Sequence, residues 1–113
     1  MLFRSGELKA IKNGYVYKEL KYKNYNYRGY VNQDGEEEGV GITIFNGGNK
    51  YSGEYKGGVR NGVIKAEYRN GSICWGRFRD GEQNGYNTYQ TKHGHTYTGQ
   101  CKNGMRNGYG IFR

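Results

Sequence analysis

The stretch Tyr51-Ser52-Gly53-Glu54-Tyr55-Lys56-Gly57-Gly58-Val59-Arg60-Asn61-Gly62 decides the fold, because it recurs. Twenty-three residues on stands Cys74-Trp75-Gly76-Arg77-Phe78-Arg79-Asp80-Gly81-Glu82-Gln83-Asn84-Gly85. After a further 23 comes Tyr97-Thr98-Gly99-Gln100-Cys101-Lys102-Asn103-Gly104-Met105-Arg106-Asn107-Gly108. The three copies align without a gap. A fourth precedes them as Tyr27-Arg28-Gly29-Tyr30-Val31, with one extra residue at Asp34 before Gly35 and Gly39. Self-similarity at a fixed period of this length is the mark of a repeat architecture.

Within each unit an aromatic-x-Gly-x-aromatic alternation has the two-residue period of a strand, and Asn-Gly supplies a residue pair suited to a tight turn. Asn61-Gly62, Asn84-Gly85 and Asn107-Gly108 are therefore read as hairpin turns, with second strands at Val63 to Tyr68, Tyr86 to Gln90 and Tyr109 to Arg113. The next turns carry Asn70-Gly71 and His93-Gly94. At the N-terminal side, Lys12-Asn13-Gly14 before Tyr15-Val16-Tyr17 reads as the turn and second strand of a divergent unit, with Phe3 and Leu8 at first-strand positions. Terminal repeats depart from consensus because one of their faces has no neighbour. The expected architecture is all-β: one elongated antiparallel sheet of successive hairpins. Residues 1–26 form a degenerate capping hairpin and 27–113 the array, in units 27–50, 51–73, 74–96 and 97–113. Together they make one structural domain.

This pattern resembles the MORN (membrane occupation and recognition nexus) repeat, over Tyr27 to Arg113 and by extension the whole chain. The resemblance implies a row of antiparallel hairpins in one twisted sheet, serving as an interaction module that scaffolds proteins or associates with membranes. Cys74 departs from the pattern where an aromatic is expected. Ile64 and Asn87 replace the second Gly of the Gly-x-Gly that Gly39/Gly41 and Gly108/Gly110 keep.

The composition fits such a device. Leu, Ile, Val and Phe number 3, 6, 5 and 4 in 113 residues, too few for an aliphatic core, while there are 13 Tyr and 21 Gly and no Pro. Tyrosine offers a ring to pack and a hydroxyl to hydrate, so rings laid against bare glycine backbone can replace aliphatic bulk. Alternation assigns Tyr27, Gly29 and Val31, Tyr51, Gly53 and Tyr55, Cys74, Gly76 and Phe78, and Tyr97, Gly99 and Cys101 to a packing face. A side chain at Gly76 is expected to crowd Cys74 and Phe78.

The opposite face carries Arg28 and Tyr30, Ser52, Glu54 and Lys56, Trp75, Arg77 and Arg79, and Thr98, Gln100 and Lys102. Lys56, Arg79 and Lys102 share one repeat position, so two strands per unit set them in a basic ladder about 10 Å apart. Aromatics beside Arg are the residue types that dominate binding hot spots. Tyr30, Lys56, Trp75, Arg77, Arg79 and Lys102 are the candidate partner-binding residues.

The net charge of +8 favours acidic partners. Phosphates repeat about every 3.4 Å along one nucleic-acid strand, so a ladder near 10 Å meets every third one, and no nucleic-acid recognition motif is present. A protein partner is the first expectation and an anionic membrane surface the alternative. The free edges of an open sheet also leave edge-to-edge pairing with a second copy open. Glu36-Glu37-Glu38 reverses the charge locally and is read as a solvated loop.

Catalysis is not expected. No Ser, Cys or carboxylate stands in a catalytic arrangement, and the glycines recur at repeat spacing rather than as a phosphate loop. His93 and His95 flank Gly94 with no Cys, Asp or Glu beside them to complete a metal shell, so neither metal nor cofactor is expected. Cys74 and Cys101 hold the first and fifth places of successive units, about 13 Å apart along a strand and beyond disulfide reach. Free thiols agree with a reducing compartment, and no apolar run suits a signal peptide or bilayer span. The expectation is a cytoplasmic binding module, a scaffold, adaptor or inhibitor, at most peripheral to membrane.

Overall fold

The computed structural model describes the backbone of residues 14–102 and 105–112 and the side chains of 14–101, 110 and 111. The described residues form nine strands: β1 Val16–Lys21, β2 Tyr25–Val31, β3 Glu37–Phe45, β4 Lys50–Lys56, β5 Val59–Glu67, β6 Ile73–Arg79, β7 Glu82–Gln90, β8 Thr96–Lys102 and β9 Met105–Phe112. They pair antiparallel in strict chain order as one open sheet, as the repeat predicts. β1 stands where the second strand of the divergent unit is expected; Phe3, Leu8, Lys12 and Asn13 lie outside the described residues.

Asn-Gly is not the hairpin turn. Lys56 pairs directly with Val59, so Gly57-Gly58 makes a two-residue connection, and Arg79↔Glu82 places the equivalent turn at Asp80-Gly81. Both residues of each turn have positive φ, 55° and 88° at Gly57 and Gly58, 52° and 89° at Asp80 and Gly81. That is the type I′ geometry whose twist matches the flanking strands. The second strands accordingly begin earlier than expected, at Val59, Glu82 and Met105.

The Asn-Gly pairs have another task. Gly53 faces Ile64 and Tyr55 faces Arg60, so Asn61, Gly62 and Val63 stand opposite Glu54 alone. The same displacement recurs between Gly29 and Val31, between Gly76 and Phe78, and between Gly99 and Cys101. A bulge needs a residue tolerant of positive φ, and Gly62 provides it at 118°. The motif's positive φ was legible, but a bulge uses it rather than a reversal.

The connections between hairpins fall as expected. Phe45 N–H donates to Asn49 C=O and Gly48 N–H to Phe45 C=O, each at 2.9 Å. Tyr68, Gly71 and Ser72 repeat this arrangement, as do Thr91, Gly94 and His95. These are three-residue loops, a type I turn followed by a left-handed glycine.

The packing face matches its assignment. Tyr27, Val31, Tyr55, Cys74, Phe78, Tyr97 and Cys101 are buried, joined by Ile64 and Ala66 from the second strands. A further ladder of rings runs Tyr22, Tyr25, Phe45, Tyr51, Tyr68, with centroids 4.7 to 6.1 Å apart. Tyr27 lies over the Gly29/Gly41 pair, where a Cβ on Gly29 would fall 2.5 Å from Gly41 Cα and 2.6 Å from the Tyr27 hydroxyl. At Gly76 the atoms nearest an added Cβ are Asn87 Oδ1 and Tyr86 O, both at 2.5 Å, rather than those of Cys74 or Phe78. The residue standing where the second Gly is expected comes closest.

One other reading changes. Only Glu36 of the acidic triplet belongs to a solvated loop. Glu37 opens β3 with 6% of its surface exposed and accepts from Tyr25 Oη at 3.1 Å. Glu38 Oε1 accepts from Gly57 N–H at 3.2 Å, tying the next turn to this unit.

Candidate functional site

Because strands alternate and each partner is fixed, the outward row through Trp75 can be followed across the sheet. Register runs Arg28, Ile42, Ser52, Lys65, Trp75, Thr88, Thr98, Ile111. Trp75 is 40% exposed between Lys65 and Thr88. A parallel row nearer the hairpin tips places Val63 opposite Arg77 and Tyr86 opposite Gln100. Val63 is 54% and Tyr86 66% exposed. Three large apolar side chains on adjacent strands thus surround Arg77, an exposed guanidinium.

The candidate residues sort by strand. Trp75, Arg77 and Arg79 share the outer face of β6, and Lys56 lies on β4, two strands and about 10 Å away. Lys56 and Arg79 are exposed, close to the hairpin tips. The backbone of Lys102 continues the spacing on β8, and its side chain lies outside the described residues. Tyr30 stands apart. It sits on β2, four strands and about 19 Å from Trp75, half-buried and edge-to-face with Tyr17 at 5.8 Å.

Local pairing weakens the ladder as a charged surface. Arg79 faces Glu82 across its own hairpin, and opposite charges directly across an antiparallel pair attract. Elsewhere on this face Glu67 draws Lys65 at 3.2 Å and Lys50 at 3.8 Å. Trp75 and Arg77 have exposed Val63 and Tyr86 beside them, and Glu54, which accepts the Val63 N–H at 3.2 Å, brings a carboxylate to the same neighbourhood.

Sequence reasoning missed Val63 and Tyr86. They occupy the position just after the last Gly of each unit, as Val40 does, and extending the alternation through that Gly would have found them. It also missed a polar row within the packing face. The tenth places of the units hold Glu37, Arg60 and Gln83, each facing the fifth-place residue Val31, Tyr55 or Phe78. The Arg60 guanidinium lies 4.0 Å over the Tyr51 ring, and its Nη2 donates to Gly81 O at 3.0 Å. Gln83 Nε2 donates to Cys74 Sγ at 2.6 Å. Reading Asn61-Gly62 and Asn84-Gly85 as turns hides this row, because it leaves Arg60 and Gln83 outside the strands to which they belong.

Neither cysteine forms a disulfide, and both are buried. Burial pushes the Cys74 thiol up to about 11, with the Gln83 hydrogen bond acting against that rise. The tyrosines of the packing face move the same way, Tyr25 and Tyr68 to about 12, burial being the largest cause for each. Among the described residues no group of three or more His, Cys, Asp or Glu could hold a metal ion.

Fold and surface define a class: an open antiparallel sheet of repeated hairpins with an aromatic packing face and a mixed apolar and basic outer face. No family model matches the chain, and no curated protein matches it.

Proposed function

We propose that this chain is a MORN-like hairpin array whose outer face docks a protein partner, acting without catalysis as a scaffold or adaptor. The observation that carries the reading is Trp75 with Val63 and Tyr86, exposed on neighbouring strands around Arg77. A contiguous exposed apolar patch bordered by charge is the anatomy of an interaction site, and Trp, Tyr and Arg are its energetic residues. A partner presenting an apolar centre and carboxylates at the rim complements it. The 23-residue period and the rings over paired glycines support the family resemblance.

The competing reading, peripheral attachment to anionic lipid through Lys56, Arg79 and Lys102, rests on their shared repeat position. It has less support, since Arg79 faces Glu82.

One comparison tests both. Wild-type protein and the Trp75→Ala/Arg77→Glu variant, matched by circular dichroism, are used to capture partners from the native cell and to sediment with vesicles of graded acidic-lipid content. Docking predicts a captured protein that the variant loses and little vesicle binding. Binding that rises with acidic lipid and falls with salt, undiminished in the variant, replaces this reading with the membrane one.

A further inference from the structure

Consecutive connections of the sheet lie at opposite strand ends, and the loops at the two ends differ in charge. The loops at 32–36 and 80–81 carry Asp34, Glu36 and Asp80. The loops at 22–24, 46–49, 68–72 and 91–95 carry Lys23, Arg69, Lys92, His93 and His95, with no Asp or Glu in any of them. At that cation-bearing end a cleft of about 370 Å³ opens between successive loops, lined by Asn49, Tyr68, Arg69, Asn70, Ser72 and Tyr89. Its size falls within the usual range for small-ligand sites.

The hydrogen bonds within the lining leave donors to spare. Asn49 Oδ1 accepts the Arg69 backbone N–H at 2.9 Å. Asn70 Oδ1 accepts both the Ser72 N–H at 2.9 Å and the Ser72 hydroxyl at 2.5 Å. With both carboxamide oxygens engaged, each side chain keeps its two N–H donors to offer a ligand. Arg69 adds a guanidinium whose stem rests along Gly48, 3.3 Å from where a Cβ on that residue would sit. Tyr68 and Tyr89, both half-buried, supply ring surface. Burial raises the Tyr68 hydroxyl to about 12, so it brings no negative charge at neutral pH. The cleft is rich in donors, carries a cation, has no carboxylate in its lining and is walled by rings.

We propose that this cleft binds an oxyanion, carboxylate or phosphate, borne on a planar ring. Arg69 and the carboxamides of Asn49 and Asn70 hold the anion, and Tyr68 and Tyr89 pack against the ring. The other cationic loops at this end draw the anion in by their field. The site is separate from the outer-face patch, so either reading can fail alone.

The test is a titration of the ¹⁵N-labelled protein, at constant ionic strength, with inorganic phosphate, phenyl phosphate and phenylacetate. Saturable shifts centred on Arg69, Asn70 and Tyr89 are expected, with phenyl phosphate binding about threefold or more tighter than inorganic phosphate. Comparing phenyl phosphate with phenylacetate tells which oxyanion the site prefers. Arg69→Gln, an exposed change that keeps the fold, weakens both ring-bearing anions about tenfold. Tyr89→Leu abolishes the preference for a ring. Shifts that do not saturate, that spread evenly over the basic residues of the molecule, or that survive Arg69→Gln undiminished overturn the proposal.

Discussion

The side-chain amide of Asn87 donates to the carbonyl oxygen of Arg77 at 3.2 Å. Arg77 holds the fourth place of its unit, opposite the bulge, where the ladder leaves a carbonyl to be satisfied. In two other units a tyrosine serves that carbonyl: Tyr27 Oη donates to Tyr30 O at 2.7 Å and Tyr97 Oη to Gln100 O at 3.3 Å. Those tyrosines face the glycine pairs Gly29/Gly41 and Gly99/Gly110. Where Asn87 replaces the second glycine, the ring's space is filled and the first place holds the small Cys74. Cys74 and Asn87, two of the three departures from the repeat, fit together as one compensated change.

Such coupling is measurable. Asn87→Leu leaves the Arg77 carbonyl without its donor and should cost about 1–3 kcal/mol. Cys74→Tyr alone has no room for its ring and also destabilises. Cys74→Tyr with Asn87→Gly rebuilds the arrangement seen at Tyr27, so its stability should exceed the sum of the single effects by about 1–3 kcal/mol in a denaturant-melt double-mutant cycle. Additive losses would show that the two positions are not linked.

Glycines of one composition should answer substitution in opposite ways. Gly76 has φ 151° and no space for a Cβ, so Gly76→Val should cost about 3 kcal/mol or more through clash and strain. Gly47 lies outside the left-handed region, with nothing within 4 Å of where its Cβ would sit. Gly47→Ala should be neutral or stabilise by about 0.5 kcal/mol, by restricting the unfolded chain. Equal thermal shifts for the two variants would contradict the packing described.

The fold was legible because its signal repeats: a two-residue alternation copied at 23-residue intervals leaves one antiparallel order and one packing face. What misled was Asn61-Gly62, whose tolerance of positive φ suits a turn and a bulge alike. Only the direct pairing of Lys56 with Val59 separates them. The outer face was half legible. First-strand positions gave Trp75 and Arg77, but Val63 and Tyr86 stand on second strands, whose faces the first-strand alternation does not assign. Glu37 looked solvated because charge runs usually are, while its burial follows from the bulge that aligns it with Val31. The loop-end cleft had no sequence signal, since it forms between loops about 20 residues apart.

Tyrosines in the core make the protein sensitive to alkali. Burial raises Tyr25 and Tyr68 to about 12 and pushes Tyr22, Tyr27 and Tyr55 upward as well. An unfolded tyrosine ionises near pH 10, so above that pH the unfolded chain gives up protons that the folded one retains. The stability these hydroxyls contribute is complete below about pH 10 and is lost as pH rises toward 12. Tyrosinate absorbance should therefore climb cooperatively, together with loss of near-ultraviolet circular dichroism. A gradual ionisation centred near pH 10 with the sheet intact would refute the burial of these rings.

Cys74 should behave as packing rather than as a reactive thiol. It is 1% exposed, receives Gln83 Nε2 and lies near Asn87 Oδ1, and burial holds its ionisation at about 11. Only the thiolate attacks an alkylating reagent, and an unfolded cysteine near 8.5 supplies far more of it at pH 8. Native Cys74 should thus react with iodoacetamide at pH 8 on the order of a hundredfold more slowly than in the denatured chain. Peptide mass mapping reads the site. Labelling should speed up in Gln83→Ala only as far as that variant opens the sheet, so its rate should track the variant's unfolding free energy. Native labelling as fast as in denaturant would mean that the ring-and-glycine packing around Cys74 does not exclude solvent.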